Sequence, residues 1–293
     1  MAKTFDICIR GAGVVGRTLA LLLARERLRV ALVAAPAPAV APTGDVRAYA
    51  LNAASRQLLE SLRSWPDPAH ATAVTQMQVF GDQGGAVHFD AATQGADALA
   101  WIVDVPALEA RLAEAVRYQP QVEVVPEPVP AALTVVCEGR ASRTRSEFGV
   151  EFNARPYPQH AVATRLETEK PHGQTAWQWF TSSDILAFLP LDGPAGNSVA
   201  VVWSVPHERV PELLAAPAED FCLVVTQRRH LDDTRLEVTG EVARDWLLRA
   251  QAFAGPATDA TPLPPTNHGV SAQAAPYSRT TACAAATSAG WVT

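Results

Sequence analysis

Phe5-Asp6-Ile7-Cys8-Ile9-Arg10-Gly11-Ala12-Gly13-Val14-Val15-Gly16 joins a short apolar run to three glycines at G-x-G-x-x-G spacing. Phe5 to Ile9 has the β-branched, apolar character of a buried strand. Val14 to Leu28 holds only Gly16 as a helix breaker and is rich in Leu and Ala, so it predicts a helix. Val30 to Val33 predicts a second strand, which completes a β–turn–α–β unit. In that setting each glycine has a separate task. The first makes the tight turn, the second lets backbone approach a pyrophosphate, and the third lets helix pack on strand. The helix N-terminus then faces the phosphates with its partial positive charge. Gly11, Ala12, Gly13, Val15 and Gly16 are therefore candidate nucleotide-binding residues.

Gly11, Gly16, Arg17 and Thr18 also fit a phosphate loop with Arg in place of Lys. The Rossmann reading is preferred, because a guanidinium does not replace the compact ammonium that such loops use. The end of the second predicted strand, Val33-Ala34-Ala35-Pro36, lacks the carboxylate that commonly binds ribose hydroxyls.

Outward from this unit, Val46 to Leu62 predicts a helix or a turn leading into one. Ala73 to Asp90 predicts two antiparallel strands around Gly84-Gly85. Trp101 to Val105 predicts a strand, and Pro106 suits the first turn of a following helix. Ala132 to Val136 predicts a strand of the parallel type, with little room between Gln121 and Ala132 for a hairpin. Ala161 to Leu166, Thr175 to Phe180, Ile185 to Leu189 and Ser198 to Val205 predict an antiparallel sheet. Pro211 to Ala215 and Ala218 to Gln227 predict helices. Gly255 to Thr293 has no Lys or Glu and shows neither helical nor strand period, so no element is assigned there.

The 293 residues include 48% hydrophobic and 18% charged side chains, enough for a substantial core. A net charge of −6 argues against a general nucleic-acid binder, which needs a basic face. Cys8, Cys137, Cys222 and Cys283 form no C-x-x-C pair, so no metal site is read from them, and Cys8 and Cys137 are expected as buried, inert thiols. The apolar run Leu19 to Ala24, flanked by Arg17 and Arg25, is far below the ~20 residues of a membrane span. No signal peptide is recognised, and a cytoplasmic location is expected.

Four stretches in order carry a resemblance to a known family. They are the glycine motif; Asp45-Val46-Arg47-Ala48-Tyr49-Ala50-Leu51; Cys137-Glu138-Gly139-Arg140-Ala141-Ser142-Arg143-Thr144-Arg145; and Tyr157-Pro158-Gln159-His160-Ala161 with Lys170 to Gln178 and Phe188-Leu189-Pro190-Leu191. Together they resemble the FAD-dependent aromatic hydroxylases of ubiquinone biosynthesis, of the p-hydroxybenzoate hydroxylase fold. The resemblance covers roughly the first 250 residues. It implies an α/β fold: a Rossmann-like FAD domain from 1–68 and 100–155, a substrate domain on a mainly antiparallel sheet from 69–99 and 156–250, and an atypical tail at 251–293.

The resemblance also implies FAD as cofactor, NAD(P)H as co-substrate and hydroxylation by O₂ of a small aromatic ring such as a prenylated phenol. Gly11, Gly13 and Gly16 would hold the pyrophosphate, and Arg47 would lie along the cofactor. Glu138-Gly139 takes the place of an Asp-Gly pair that lies by both FAD and NAD(P)H. Arg143 and Arg145 read as a solvated helix face. His160 and His172 suggest a catalytic pair, but the reading as polar loop histidines is preferred, and no catalytic side chain is singled out. Trp177 and Trp179 are read as one core residue and one cavity-lining residue.

The family's second flavin motif, of the form G-D-A-A-H, is not found in the chain. That departure predicts weak or uncoupled hydroxylation and a protein partner over an open flavin site; separately, with no membrane-length apolar run, peripheral membrane contact is compatible with the sequence. Two further readings stay open. One is a weak or inactive homologue that binds nucleotide or supports a partner. The other is an FAD-dependent reductase or dehydrogenase on the same fold.

Overall fold

The computed structural model describes residues 4–34, 45–82, 84–140, 142–151, 153, 155–168, 170–215 and 285–287. They divide into two units, one drawn from Met1–Gln76, Phe89–Pro156 and Leu191–Pro194, the other from Met77–His88, Tyr157–Pro190 and Ala195–Thr293.

The first unit opens with strand β1 (Phe5–Arg10), helix α1 (Val14–Arg25) and strand β2 (Val30–Val33). Strand β3 (Ala48–Leu51), helix α2 (Ala53–Ser61) and strand β4 (Ala71–Val74) follow. Later come β7 (Ala100–Asp104), α3 (Val105–Arg117), β8 (Val122–Val125) and β9 (Ala131–Val136). Strands β8, β2, β1 and β9 lie side by side in that order, and every pairing is parallel. The core joins Ile9 and Leu32 of the sheet to Ala20 of α1 and Leu108 and Leu112 of α3, all essentially inaccessible to solvent. Helix α3 starts where expected: Asp104 Oδ1 accepts from Ala107 N at 2.8 Å, and Pro106 sits in the first turn.

Helix α1 stops earlier than its composition predicts. Arg27 adopts φ 63°, Arg27 N donates to Ala24 O, and Leu28 N donates to Leu23 O. This is a Schellman stop with arginine at the left-handed position usually taken by glycine. Helix α2 ends the same way, with Arg63 at φ 56° and Ser64 N donating to Leu59 O.

Strands β3, β7 and β4 form a separate three-stranded antiparallel sheet. The helix predicted from Val46 is therefore confined to α2, because Ala48–Leu51 pairs with β7 before Asn52 caps the helix through Oδ1 to Ser55 N at 2.9 Å. Ala73 and Val74, expected in the hairpin, pair with β7 instead. The unit consequently takes residues 69–76 and 89–99, which the sequence reading had grouped with the antiparallel sheet. The stretch with little room for a hairpin holds the single strand β8, which runs parallel to β2.

The second unit is built on seven strands: β5 (Gln76–Gly81), β6 (Ala86–Asp90), β10 (Gln159–Glu167), β11 (Thr175–Phe180), β12 (Ile185–Pro190), β13 (Ser198–Pro206) and β14 (Ala285–Thr287). Their order is β14-β10-β13-β12-β11-β5-β6. Burial alternates along β12 and β13, so Leu186, Phe188, Val201 and Trp203 share the covered face. The short helix α5 (Val210–Ala215) follows β13. Strand β14 lies in the Ala/Thr-rich tail, where the sequence assigns no element: Ala285 to Thr287 pair with Ala163 to Ala161. Backbone pairing to a sheet edge requires no side-chain period, so composition could not reveal it. The helix predicted for Ala218 to Gln227 lies outside the described residues. Among those described, no helix is long and apolar enough to cross a membrane.

Candidate nucleotide-binding site

The glycine turn leaves the parallel sheet where Gly11 N donates to Val33 O and Cys137 N donates to Arg10 O. Gly11 adopts φ +112°, and a Cβ there would fall 2.4 Å from Cys137 O. A Cβ on Gly16 would fall 1.9 Å from Gly11 O, so α1 packs directly on the turn. Gly13 differs: a Cβ there meets nothing within 4 Å. Protein packing thus explains the first and third glycines, whereas the second faces open space. Gly13 is also the N-cap of α1 and supplies no side chain to bond the first N–H groups of the helix. Val15 in the next turn is 68% exposed, an apolar residue beside that open space. The geometry suits an anionic, partly apolar ligand laid over Gly11, Ala12 and Gly13.

Arg47 lies just before β3. Its Nε and Nη2 engage the Asp45 carboxylate at 2.6–3.1 Å, and Nη2 lies 3.6 Å from Glu109 Oε1. These carboxylates hold the guanidinium above its ordinary pKa. The side chain expected along the cofactor is thus a fork closed on its own loop.

Glu138-Gly139 follows β9, with Gly139 at φ +73°. Glu138 Oε2 accepts from Ser142 Oγ at 2.8 Å and Thr144 N at 3.1 Å, and Oε1 accepts from Thr144 Oγ1 at 2.6 Å. Arg10 Nε adds an ion pair at 3.4 Å. The Thr144 hydroxyl leads the causes that lower the Glu138 carboxyl to about 2, ahead of the Ser142 hydroxyl and the Thr144 amide, while burial opposes them. The extra methylene relative to Asp lets the carboxylate reach forward and hold the start of α4 (Arg143–Glu147). Ser142 completes the cap by accepting from Arg145 N at 3.1 Å. Arg10 also binds Glu147 Oε2 at 3.0 Å, so both ends of this short helix are tied to β1. Sequence reading alone does not give this network, although Ser142 is of the residue type that caps helices.

In the second unit, His160 and His172 are not a pair. His172 is buried and its Nδ1 accepts from Gln174 N at 3.0 Å, whereas His160 meets His207. Trp177 and Trp179 lie on one face, stacked with Phe80 at centroid distances of 6.0 Å and both half-buried. The split into core and cavity residue is therefore incorrect, since residues two apart on a strand point the same way. Cys8 is buried, Cys137 is half-buried, and burial raises the Cys137 thiol.

The chain is 30% identical over 235 residues to the 3-demethoxyubiquinol 3-hydroxylase of Escherichia coli (strain K12), covering 71% of this chain and 59% of the relative. The chain is a homologue of the ubiquinone-biosynthesis monooxygenases. It is likewise 27% identical over 245 residues to the ubiquinone hydroxylase UbiL of Rhodospirillum rubrum, covering 75% of this chain and 56% of that protein. It thus spans somewhat under three-fifths of the length of these relatives. PqsL, a probable FAD-dependent monooxygenase from Pseudomonas aeruginosa, shares the fold at a TM-score of 0.63 and 18% identity, over 84% of this chain and 70% of that structure. No family model matches the chain.

Proposed function

We propose that the chain is the nucleotide-binding and ring-binding part of an FAD-dependent monooxygenase that hydroxylates an aromatic ring of the ubiquinone-pathway type, with NAD(P)H as reductant. The observation that carries this is the glycine turn: Gly11 and Gly16 are fixed by backbone contact while Gly13 opens onto free space at a helix N-terminus. Homology to hydroxylases of that pathway supports an aromatic substrate of that class.

In this reading Gly11, Ala12, Gly13, Val15 and Gly16 hold the FAD pyrophosphate, and Arg47 and Gly139 border the cofactor. When bound, FAD supplies the redox chemistry and the activation of O₂. The chain's own part is placement. The N–H groups that open α1 bind the phosphates, and Glu138 fixes the turn after β9 by holding α4 rather than by contacting a ligand. The parallel-sheet unit is assigned to the cofactor and the antiparallel sheet to the ring. Exposed Val15, Val124 and Leu133 on the first unit support a covering protein segment or partner there. Peripheral membrane contact and a cytoplasmic setting belong to the same proposal.

An absorption spectrum of the purified chain with added FAD tests cofactor binding. NADPH oxidation with a prenylated phenol, following hydroxylated product and H₂O₂ separately, tests the reaction. Coupled product formation supports hydroxylation. Peroxide release alone places the chain among homologues needing a further wall on the site, since excluding water depends on closure. A colourless chain that takes up no FAD removes the proposal.

A further inference from the structure

His160 lies at the start of β10 and His207 follows the end of β13. These strands pair antiparallel along their whole length, with Gln159 opposite Pro206 and His160 opposite Val205. The register therefore brings together two histidines 47 positions apart in the chain. His207 N donates to Pro158 O at 3.0 Å, which fixes the chain just beyond the last ladder pair. The two Nδ1 atoms stand 3.2 Å apart, the ring centroids 4.5 Å apart, and the ring planes are inclined by 41°. His207 is exposed and His160 half-buried, so the pair lies at the protein surface.

Nitrogen atoms at this separation either share a proton or converge on a cation. A tetrahedral ion with metal–nitrogen bonds of about 2.0–2.1 Å separates two of its nitrogens by about 3.3 Å. A square-planar ion with similar bonds brings them to about 2.9 Å. The observed 3.2 Å lies nearer the tetrahedral value.

We propose that His160 and His207 form a two-histidine surface site for a divalent transition metal of the zinc class, with solvent completing the coordination. Among the described residues no group of three or more His, Cys, Asp or Glu is arranged to hold a metal, so His160 and His207 are the donors those residues supply. Occupied, it clamps the start of β10 to the end of β13 at the edge of the ladder. The absence of any Cys or His spacing motif in the sequence is no obstacle, because strand register brings the donors together.

The test is titration of the full chain with Zn²⁺ by calorimetry and thermal unfolding, with Co²⁺ as a spectroscopic probe of tetrahedral nitrogen coordination. The expected result is one binding step of one ion per chain, a rise in unfolding temperature with metal, and a Co²⁺ visible spectrum without thiolate charge transfer. His160→Gln and His207→Gln each abolish that step while leaving the far-UV circular dichroism unchanged, and His88→Gln retains it. A step that survives in the His160→Gln/His207→Gln double variant, or no Zn²⁺ binding by the unmodified chain, overturns the proposal.

Discussion

Replacing Glu138 by Gln removes the charge from a carboxylate that accepts from Ser142 and twice from Thr144 and pairs with Arg10. The environment lowers its pKa from 4.5 to about 2. By linkage that depression corresponds to about 3 kcal/mol at most. The side chain keeps 22% of its surface in solvent. Screening therefore reduces the figure to about 1–2 kcal/mol. The folded-state pKa lies below the unfolded value, so the stabilisation is fully present above pH 4.5 and is lost as pH falls through about 2. Linkage leaves less than half of it by about pH 3. Urea unfolding followed by circular dichroism, for the unmodified chain and Glu138→Gln at about pH 7 and about pH 3, should show a gap that shrinks with acid. A gap of the same size at both pH values, or none near neutrality, would refute the assignment of Glu138 as the charged anchor of α4.

Other substitutions separate packing from ligand binding. Gly16→Ala should destabilise by about 3 kcal/mol, because the new methyl meets the Gly11 carbonyl and neither backbone can yield. Gly13→Ala should leave thermal stability close to the original while weakening FAD binding more than Arg47→Ala does; equal FAD titrations for Gly13→Ala and the unmodified chain would remove the functional reading of the motif. Arg27→Gly should stabilise by about 0.5–1 kcal/mol in chemical denaturation, since glycine occupies the left-handed helix stop without a Cβ penalty. Asp184→Ala should cost about 3 kcal/mol. The reason is that Asp184 Oδ2 accepts from Arg209 Nη1 at 2.5 Å and Trp203 Nε1 at 3.2 Å, so its loss strands a largely buried guanidinium.

The local signals were sufficient wherever the physical cause is local. The β1–turn–α1–β2 unit was legible because its glycine spacing and apolar runs are local, with Gly16 packed on Gly11 within the same turn, and the start of α3 because Asp104 and Pro106 act on the turn that follows them. The strands β10 to β13 were legible from turn residues between apolar runs. The tertiary structure alone decided which strand joined which sheet. Ala71–Val74 and Gln76–Gly81 are separated by one residue, yet one pairs with β7 and the other with the seven-stranded sheet. It alone stopped α1 and α2 at arginines, because a left-handed residue is selected there by the chain's path rather than by its own preference. It also turned Glu138 toward α4, set Phe80 against Trp177 and Trp179, and joined His160 to His207. In each case the partner is set by strand register or by chain reversal, and neither leaves a period or a spacing in the sequence that a reader of one segment could detect.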